Sequence, residues 1–334
     1  MKKILLIATG GTIASTTGKH GLSPTVSAEE LIEYVPEIRK CCEADYIQPY
    51  NIDSTNVTPA HWLTLAEAIR ENYAAYDGFV VCHGTDTMAY TAAALSYLIQ
   101  NSKKPIVLTG SQKPIDKEDT DARINLRDAF SYAASEKSAQ VTIVFHGKAI
   151  AGTRAKKIRT KSFNAFDSVD FPVLATVREG KVLQYIEPPE SVKNAAAPDF
   201  YKRLDGKVGL CCLTPGFSGA VLDSYFENND AVVLSGYGTG GIPGGEYYDL
   251  YDVIEKWRGK GKTLVVTTQV QSEGSDMGIY RVGRDFKERF SVLESYDMTW
   301  ESIISKLMWI LSETRDEKEI ERLFYKPVNY DLIV

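Results

Sequence analysis

The 334-residue chain is short of the residues that build metal and disulfide frameworks, with four histidines and five cysteines. The cysteines are Cys41, Cys42, Cys82, Cys211 and Cys212, an odd number with two adjacent pairs and no Cys-x-x-Cys spacing. That pattern makes a poor disulfide scaffold and a poor zinc site, and reads instead as thiols buried in a reducing compartment. No stretch approaches the ~20 consecutive apolar residues of a membrane helix. The opening Met1-Lys2-Lys3-Ile4-Leu5-Leu6-Ile7-Ala8 has an apolar run shorter than the ~7–15 residues of a signal-peptide core, so a cytoplasmic protein is expected. Excess positive charge is missing too. The formal net charge of −6 argues against a general affinity for nucleic acid or anionic membrane.

What is present is alternation. The length suits two domains. Short apolar runs rich in branched residues alternate with segments of helical period. Strands are expected at 4–8, 79–82, 105–108 and 141–145, with helices at 60–75, 88–99 and 122–134 between them. The helix at 60–75 carries Trp62, Leu65, Ala66 and Ile69 on one face. The pattern dissolves after Val182 into Glu187-Pro188-Pro189-Glu190 and a polar stretch to Pro198. A second unit follows, with strands at 208–212, 231–234 and 263–267 and helices near 220–226, 247–257, 300–311 and 317–324. The fold expected is α/β: a larger N-terminal parallel-sheet domain flanked by helices over 1–186, a linker over 187–206, and a smaller C-terminal α/β domain over 207–334.

In open parallel sheets ligands bind beyond the carboxyl ends of the strands. The first strand runs into Thr9-Gly10-Gly11-Thr12, and a later one into His83-Gly84-Thr85-Asp86-Thr87. Taken singly, the first is a tight turn and Thr87 a helix cap. Taken together, two hydroxyl-bearing turns at one sheet edge suit acyl transfer, in which one hydroxyl attacks a carbonyl and backbone N–H groups hold the oxyanion. A hydroxyl needs a base. The histidines are His20, His61, His83 and His146, and only His83 lies in either turn, where a histidine is more often a packed or capping residue. Lysine is the other option, from Gly152-Thr153-Arg154-Ala155-Lys156-Lys157-Ile158-Arg159, which otherwise reads as a solvated basic loop. For a lysine to be neutral at pH 7 its pKa must fall from ~10.4 to about 7, which costs roughly 4.6 kcal/mol. A nearby carboxylate such as Asp86 opposes that fall. The alternative is a charged Lys157 polarising a network of Thr85 and a carboxylate.

These residues resemble the bacterial L-asparaginase family. Its two signatures are similar to Ala8-Thr9-Gly10-Gly11-Thr12-Ile13-Ala14 and His83-Gly84-Thr85-Asp86-Thr87. Further matches are Asp53-Ser54-Thr55, Gly110-Ser111-Gln112 followed by Asp121-Ala122-Arg123-Ile124-Asn125-Leu126, and Asp297-Met298-Thr299. The likeness runs along nearly the whole chain and looks like the cytoplasmic, type I branch. It implies hydrolysis of L-asparagine to L-aspartate and ammonia through an aspartyl ester on threonine, with no cofactor, no metal and weak glutaminase activity at most. Carried over by position, Thr12 would be the nucleophile, and Thr85, Asp86 and Lys157 the second catalytic group. Asp53, Ser54 and Thr55 would form the substrate loop, with Ser54 and Thr55 on the α-carboxylate and Asp86 also taking the α-ammonium. Lys157 rather than Lys156 follows from the Gly-x-Arg-x-x-Lys spacing. A homodimer or homotetramer is implied, with no nucleic-acid or membrane partner.

Three departures stand out. Residues 18–24 contain no tyrosine where relatives carry one on a flexible loop; Leu22 takes the place, leaving Lys19, His20 and Ser23 as local polar candidates to assist Thr12. Gly241 stands where relatives often show an asparagine. Val270 follows Thr268-Gln269 where the enterobacterial cytoplasmic relative has a regulatory cysteine, so that switch is not expected.

Other readings compete. Gly236-Tyr237-Gly238-Thr239-Gly240-Gly241 matches a dinucleotide-binding GxGxxG, but Pro243 delays the helix and the next strand runs into Gln269 instead of ending in an acid. The ammonia-producing component of a tRNA-dependent amidotransferase resembles asparaginases but carries an extra N-terminal module, for which a first motif at residue 8 leaves no room. A small-molecule binding protein of two α/β lobes is the non-enzymatic alternative.

Overall fold

The computed structural model describes the chain except residues 19, 20, 25, 205, 245–247 and 334, and for residues 16–18 and 21–24 it describes the backbone alone. Lys19, His20 and the side chains of Leu22 and Ser23 therefore lie outside the described residues, as does the expected helix start at Tyr247. Two compact units are present, Met1–Lys202 and Arg203–Val334.

In the first unit five parallel strands lie in the order Cys42–Ile47, Lys2–Ala8, Gly78–Cys82, Pro105–Thr109 and Gln140–Phe145. The inner strands Gly78–Cys82 and Pro105–Thr109 are buried throughout and almost wholly apolar, because helices cover both faces. The sheet does not end there. Lys148–Ala151, Ala175–Arg178 and Lys181–Gln184 continue it antiparallel, so the expected parallel sheet carries an antiparallel extension and is mixed as a whole. Register carries the functional consequence. Ala8 lies opposite Cys82 and Cys82 opposite Thr109, so three neighbouring strands finish level and their following turns sit side by side.

The helix Pro59–Asn72 buries Trp62, Leu65, Ala66 and Ile69 on the face read from the sequence. Residues 187–202, expected as linker, are structured within the first unit. They hold the short helix Glu190–Lys193 and a strand, Asp199–Phe200, that pairs with Ile99–Gln100. Backbone pairing to Ile99–Gln100 keeps this proline-bearing stretch on the domain.

The second unit holds a parallel sheet in the order Val208–Cys212, Ala231–Gly236, Thr263–Thr268 and Leu293–Glu294. Its helices include Gly219–Asn228, Leu250–Arg258, Arg281–Phe290, Trp300–Glu313 and Glu317–Phe324. Residues 236–241 close on themselves, with Tyr237 N donating to Gly241 O and Gly241 N to Tyr237 O. Among the described residues the next helix is Leu250–Arg258, and none starts directly after the glycines as a dinucleotide site requires.

The five cysteines are free. Cys42, Cys82 and Cys211 are buried, Cys41 is half-buried and Cys212 is exposed. The last departs from the expected burial because successive strand residues face opposite sides of the sheet. Among the described residues no helix is long and apolar enough to cross a membrane.

Candidate active site

Beyond Ala8 the chain continues between two neighbours. Thr9 N and Thr9 Oγ1 both donate to Cys82 O, at 3.0 and 2.8 Å, while Gly11 N donates to Ile52 O at 3.2 Å. Gly11, at φ 82° and ψ 179°, adopts a conformation that is essentially restricted to glycine. It also has no room for a side chain, since a Cβ there would sit 2.4 Å from Gly84 Cα and N. A Cβ on Gly84 would in turn meet Ser54 Oγ at 2.5 Å. Thr87 Oγ1 donates to Ser54 O at 2.7 Å. Three segments far apart in sequence, 9–12, 53–55 and 83–87, thus touch through backbone and a single serine. Thr12 opens a 3-10 turn, Thr12–Ala14; it is half-exposed while Ile13 and Ala14 are buried.

Lys157 ends the strand Ala155–Lys157, which pairs antiparallel with Phe166–Ser168. Its Nζ donates to Thr85 Oγ1 at 2.7 Å and to Asp86 Oδ1 at 2.6 Å. Thr85 is buried, the Lys157 side chain is 17% exposed and that of Asp86 is 56% exposed. The structure therefore brings Thr85, Asp86 and Lys157 into one hydrogen-bonded group. In the 53–55 loop, the Asp53 carboxylate accepts from Thr55 N and Thr55 Oγ1, both at 2.8 Å. The Thr55 hydroxyl is thereby engaged inside its own turn, whereas buried Ser54 packs on Gly84.

His83 is not placed to act as a base. It is 1% exposed, and burial pushes its pKa down to about 4 against the opposing hydrogen bond to Gly84 O. Trp62 Nε1 donates to Thr91 Oγ1 at 3.0 Å. The Thr91 proton is then available to His83 Nε2, also at 3.0 Å, and Nδ1–H is left to donate to Gly84 O at 2.7 Å. This chain defines a neutral imidazole that fixes the turn.

One neighbour of the group stands out in the sequence only as part of a longer pattern. Gln112 follows the strand Pro105–Thr109, and its Oε1 accepts from Thr85 Oγ1 at 3.4 Å. The rule that ligands gather at the carboxyl ends of parallel strands points to this turn as much as to the other two. Asp121 shapes it, accepting from Gln112 N and Lys113 N, and Asn125 Nδ2 donates to both Asp121 and Gly110 O. Burial pushes the Asp121 carboxyl up, and these hydrogen bonds oppose that rise.

The first unit thus carries hydroxyl-bearing turns and a lysine–threonine–aspartate group at one edge of its sheet. Residues 3–190 match the family described as Asparaginase, N-terminal, and residues 207–324 that described as Glutaminase/Asparaginase C-terminal domain, so the chain belongs to the asparaginase family. It is 37% identical over 327 residues to the L-asparaginase of Thermococcus kodakarensis, covering 98% of both proteins. The solved structure of the thermostable L-asparaginase from that organism superposes with a TM-score of 0.93 at 36% identity, covering 99% of each chain. A second kind of relative is a component of the glutamyl-tRNA(Gln) amidotransferase of Pyrococcus furiosus, 32% identical across 96% of this chain and 74% of its own length.

Proposed function

We propose that the chain hydrolyses L-asparagine to L-aspartate and ammonia. Thr12 Oγ1 attacks the side-chain carbonyl carbon, the carbon–nitrogen bond breaks, and the nitrogen takes a proton and leaves as ammonia. Water then hydrolyses the aspartyl ester and returns the hydroxyl proton to Thr12. The observation that carries this reading is the Lys157 amine bonded to both Thr85 and Asp86, in a turn whose Gly84 touches Gly11, one residue before Thr12. Lys157 and Thr85 serve proton movement. Ser54 meets the α-carboxylate, in a loop that Asp53 and Thr55 close by hydrogen bonds to each other, and Asp86 takes the α-ammonium. Each charge of a zwitterionic substrate then meets its complement.

Membership of the asparaginase family and the L-asparaginase of Thermococcus kodakarensis among the relatives support asparagine as substrate. One extra methylene is discriminated by only ~10–200-fold, so weak glutaminase activity accompanies the main reaction. The enzyme is read as a cytoplasmic homodimer or homotetramer that needs no cofactor or metal.

The test is ammonia release by the purified chain from asparagine, glutamine and short peptides. Sustained release from asparagine, with at most weak release from glutamine, supports the reading. Tight aspartate binding without any release would make the chain a binding protein. The relative from Pyrococcus furiosus favours a second reading, an ammonia-supplying component of an amidotransferase. Turnover that begins only when charged tRNA and the remaining amidotransferase components are added would establish that one instead.

A further inference from the structure

The turn after Pro105–Thr109 carries a side chain that the scheme above leaves unused. A threonine hydroxyl has one proton, and Lys157 Nζ already donates to Thr85 Oγ1 at 2.7 Å. The Thr85 proton must point elsewhere, and Gln112 Oε1 is the acceptor that meets it at 3.4 Å. The amide cannot turn over freely. Gln112 Nε2 donates to Ser162 O at 3.1 Å, and a flip would set the amide oxygen against that carbonyl and the NH2 group against the Thr85 proton.

Both ends of this link are anchored. Gln112 N and Lys113 N donate to the buried Asp121 carboxylate at 3.0 and 3.1 Å. Ser162 lies in the loop joining Ala155–Lys157 to Phe166–Ser168, the strand pair that presents Lys157. Lys113 Nζ sits over the Phe163 ring of the same loop, 5.6 Å from its centroid. Gln112 therefore touches the acceptor of the lysine through one amide atom and the hairpin that delivers the lysine through the other.

We propose that Gln112 is a positioning residue for the catalytic group. It aims the Thr85 proton away from Lys157 and ties the Lys157 hairpin to the turn beside Thr85, so that donor and acceptor meet the substrate in one arrangement. The proposal rests on the asparagine-hydrolysis reading. A 3.4 Å hydrogen bond biases a rotor without locking it, so the effect is moderate.

A double-mutant cycle on the full chain, read by steady-state asparagine hydrolysis, tests it. Q112M lowers kcat roughly 5- to 10-fold, as loss of one ordinary hydrogen bond does, and changes KM by less than about 2-fold. T85V lowers kcat by more than about 100-fold. Adding Q112M to T85V then changes kcat by less than about 2-fold, because the hydroxyl that Gln112 orients is gone. Equal losses from Q112M in both backgrounds would show a general support of the turn and overturn the proposal. So would an unchanged kcat for Q112M alone while T85V is impaired. T85V turning over at the parental rate would instead sink the reading of the site. Q112A is carried through the same cycle, so that a folding defect peculiar to methionine does not decide the outcome.

Discussion

Lys157 Nζ stands 2.7 Å from Thr85 Oγ1 and 2.6 Å from Asp86 Oδ1, so one amine couples a buried hydroxyl to a solvent-facing carboxylate. The arrangement leaves Thr85 as the inner end of the group and Asp86 as the end open to solvent. Lys157→Met keeps most of the apolar stem and removes every donor. We expect kcat for asparagine to fall at least about 100-fold with KM changed by less than about 5-fold. Steady-state kinetics decide it, since a raised KM with kcat preserved would make Lys157 a binding residue.

Thr12 contributes little to packing. It is half-exposed, and the buried members of its turn are Ile13 and Ala14. Thr12→Ala should therefore change unfolding free energy by less than about 1 kcal/mol. Asparagine hydrolysis should nonetheless fall about 1,000-fold or more if this hydroxyl forms the ester. Turnover above a tenth of the parental rate would remove Thr12 from the nucleophile's role.

The inner strands were legible because they are uninterrupted apolar runs ending in glycine-bearing turns, and the sheet-edge rule then marked the turns themselves. Elements with one wet face were not. Cys42–Ile47 escaped notice because it forms the sheet edge, where only Cys42 is buried and the rest are half-buried or exposed. Lys181–Gln184, at the opposite edge, buries no residue fully and alternates exposed with half-buried ones. Arg281–Phe290 is mostly charged, contains Gly283, and buries only Phe286 and Phe290, so its helical period rests on one pair four residues apart. At the site, the sequence offered Thr85, Asp86 and Lys157 by likeness to a family, but nothing in spacing alone joined residue 157 to residue 85. Gln112 was hidden for a related reason, because its contact with Thr85 depends on two strands ending level.

The meeting of Gly11 and Gly84 makes a steric prediction. Alanine at Gly11 must adopt φ near 82° and place its Cβ 2.4 Å from Gly84 backbone atoms. Gly180, in the same unit, has φ 74°, but a Cβ there would meet only Ser131 Oγ at an ordinary 3.6 Å. Gly180→Ala should cost about 1–2 kcal/mol from backbone strain alone. Gly11→Ala should cost more than about 3 kcal/mol and lower activity, because relieving the clash separates the two turns. Denaturant unfolding of the two variants is the measurement. Equal losses would mean that the Gly11–Gly84 approach does not constrain the site.

His83 gives the fold a pH dependence whose sign follows from its burial. Its pKa falls from an ordinary 6.5 to about 4 in the folded protein. Between those values the unfolded chain binds a proton that the native imidazole refuses, because protonation would cost desolvation and break the acceptance from Thr91. The contribution is complete above pH 6.5 and is lost progressively as pH falls toward 4. Linkage sets the loss between pH 7.5 and 4.5 at roughly 2–3 kcal/mol. His83→Gln, which keeps an acceptor for Thr91 and cannot titrate, should start less stable at pH 7.5 but lose that much less on acidification. Denaturant melts of both proteins at the two pH values test this. Parallel losses would mean that other groups set the acid limb and that His83 is protonated as easily in the folded chain as in the unfolded one.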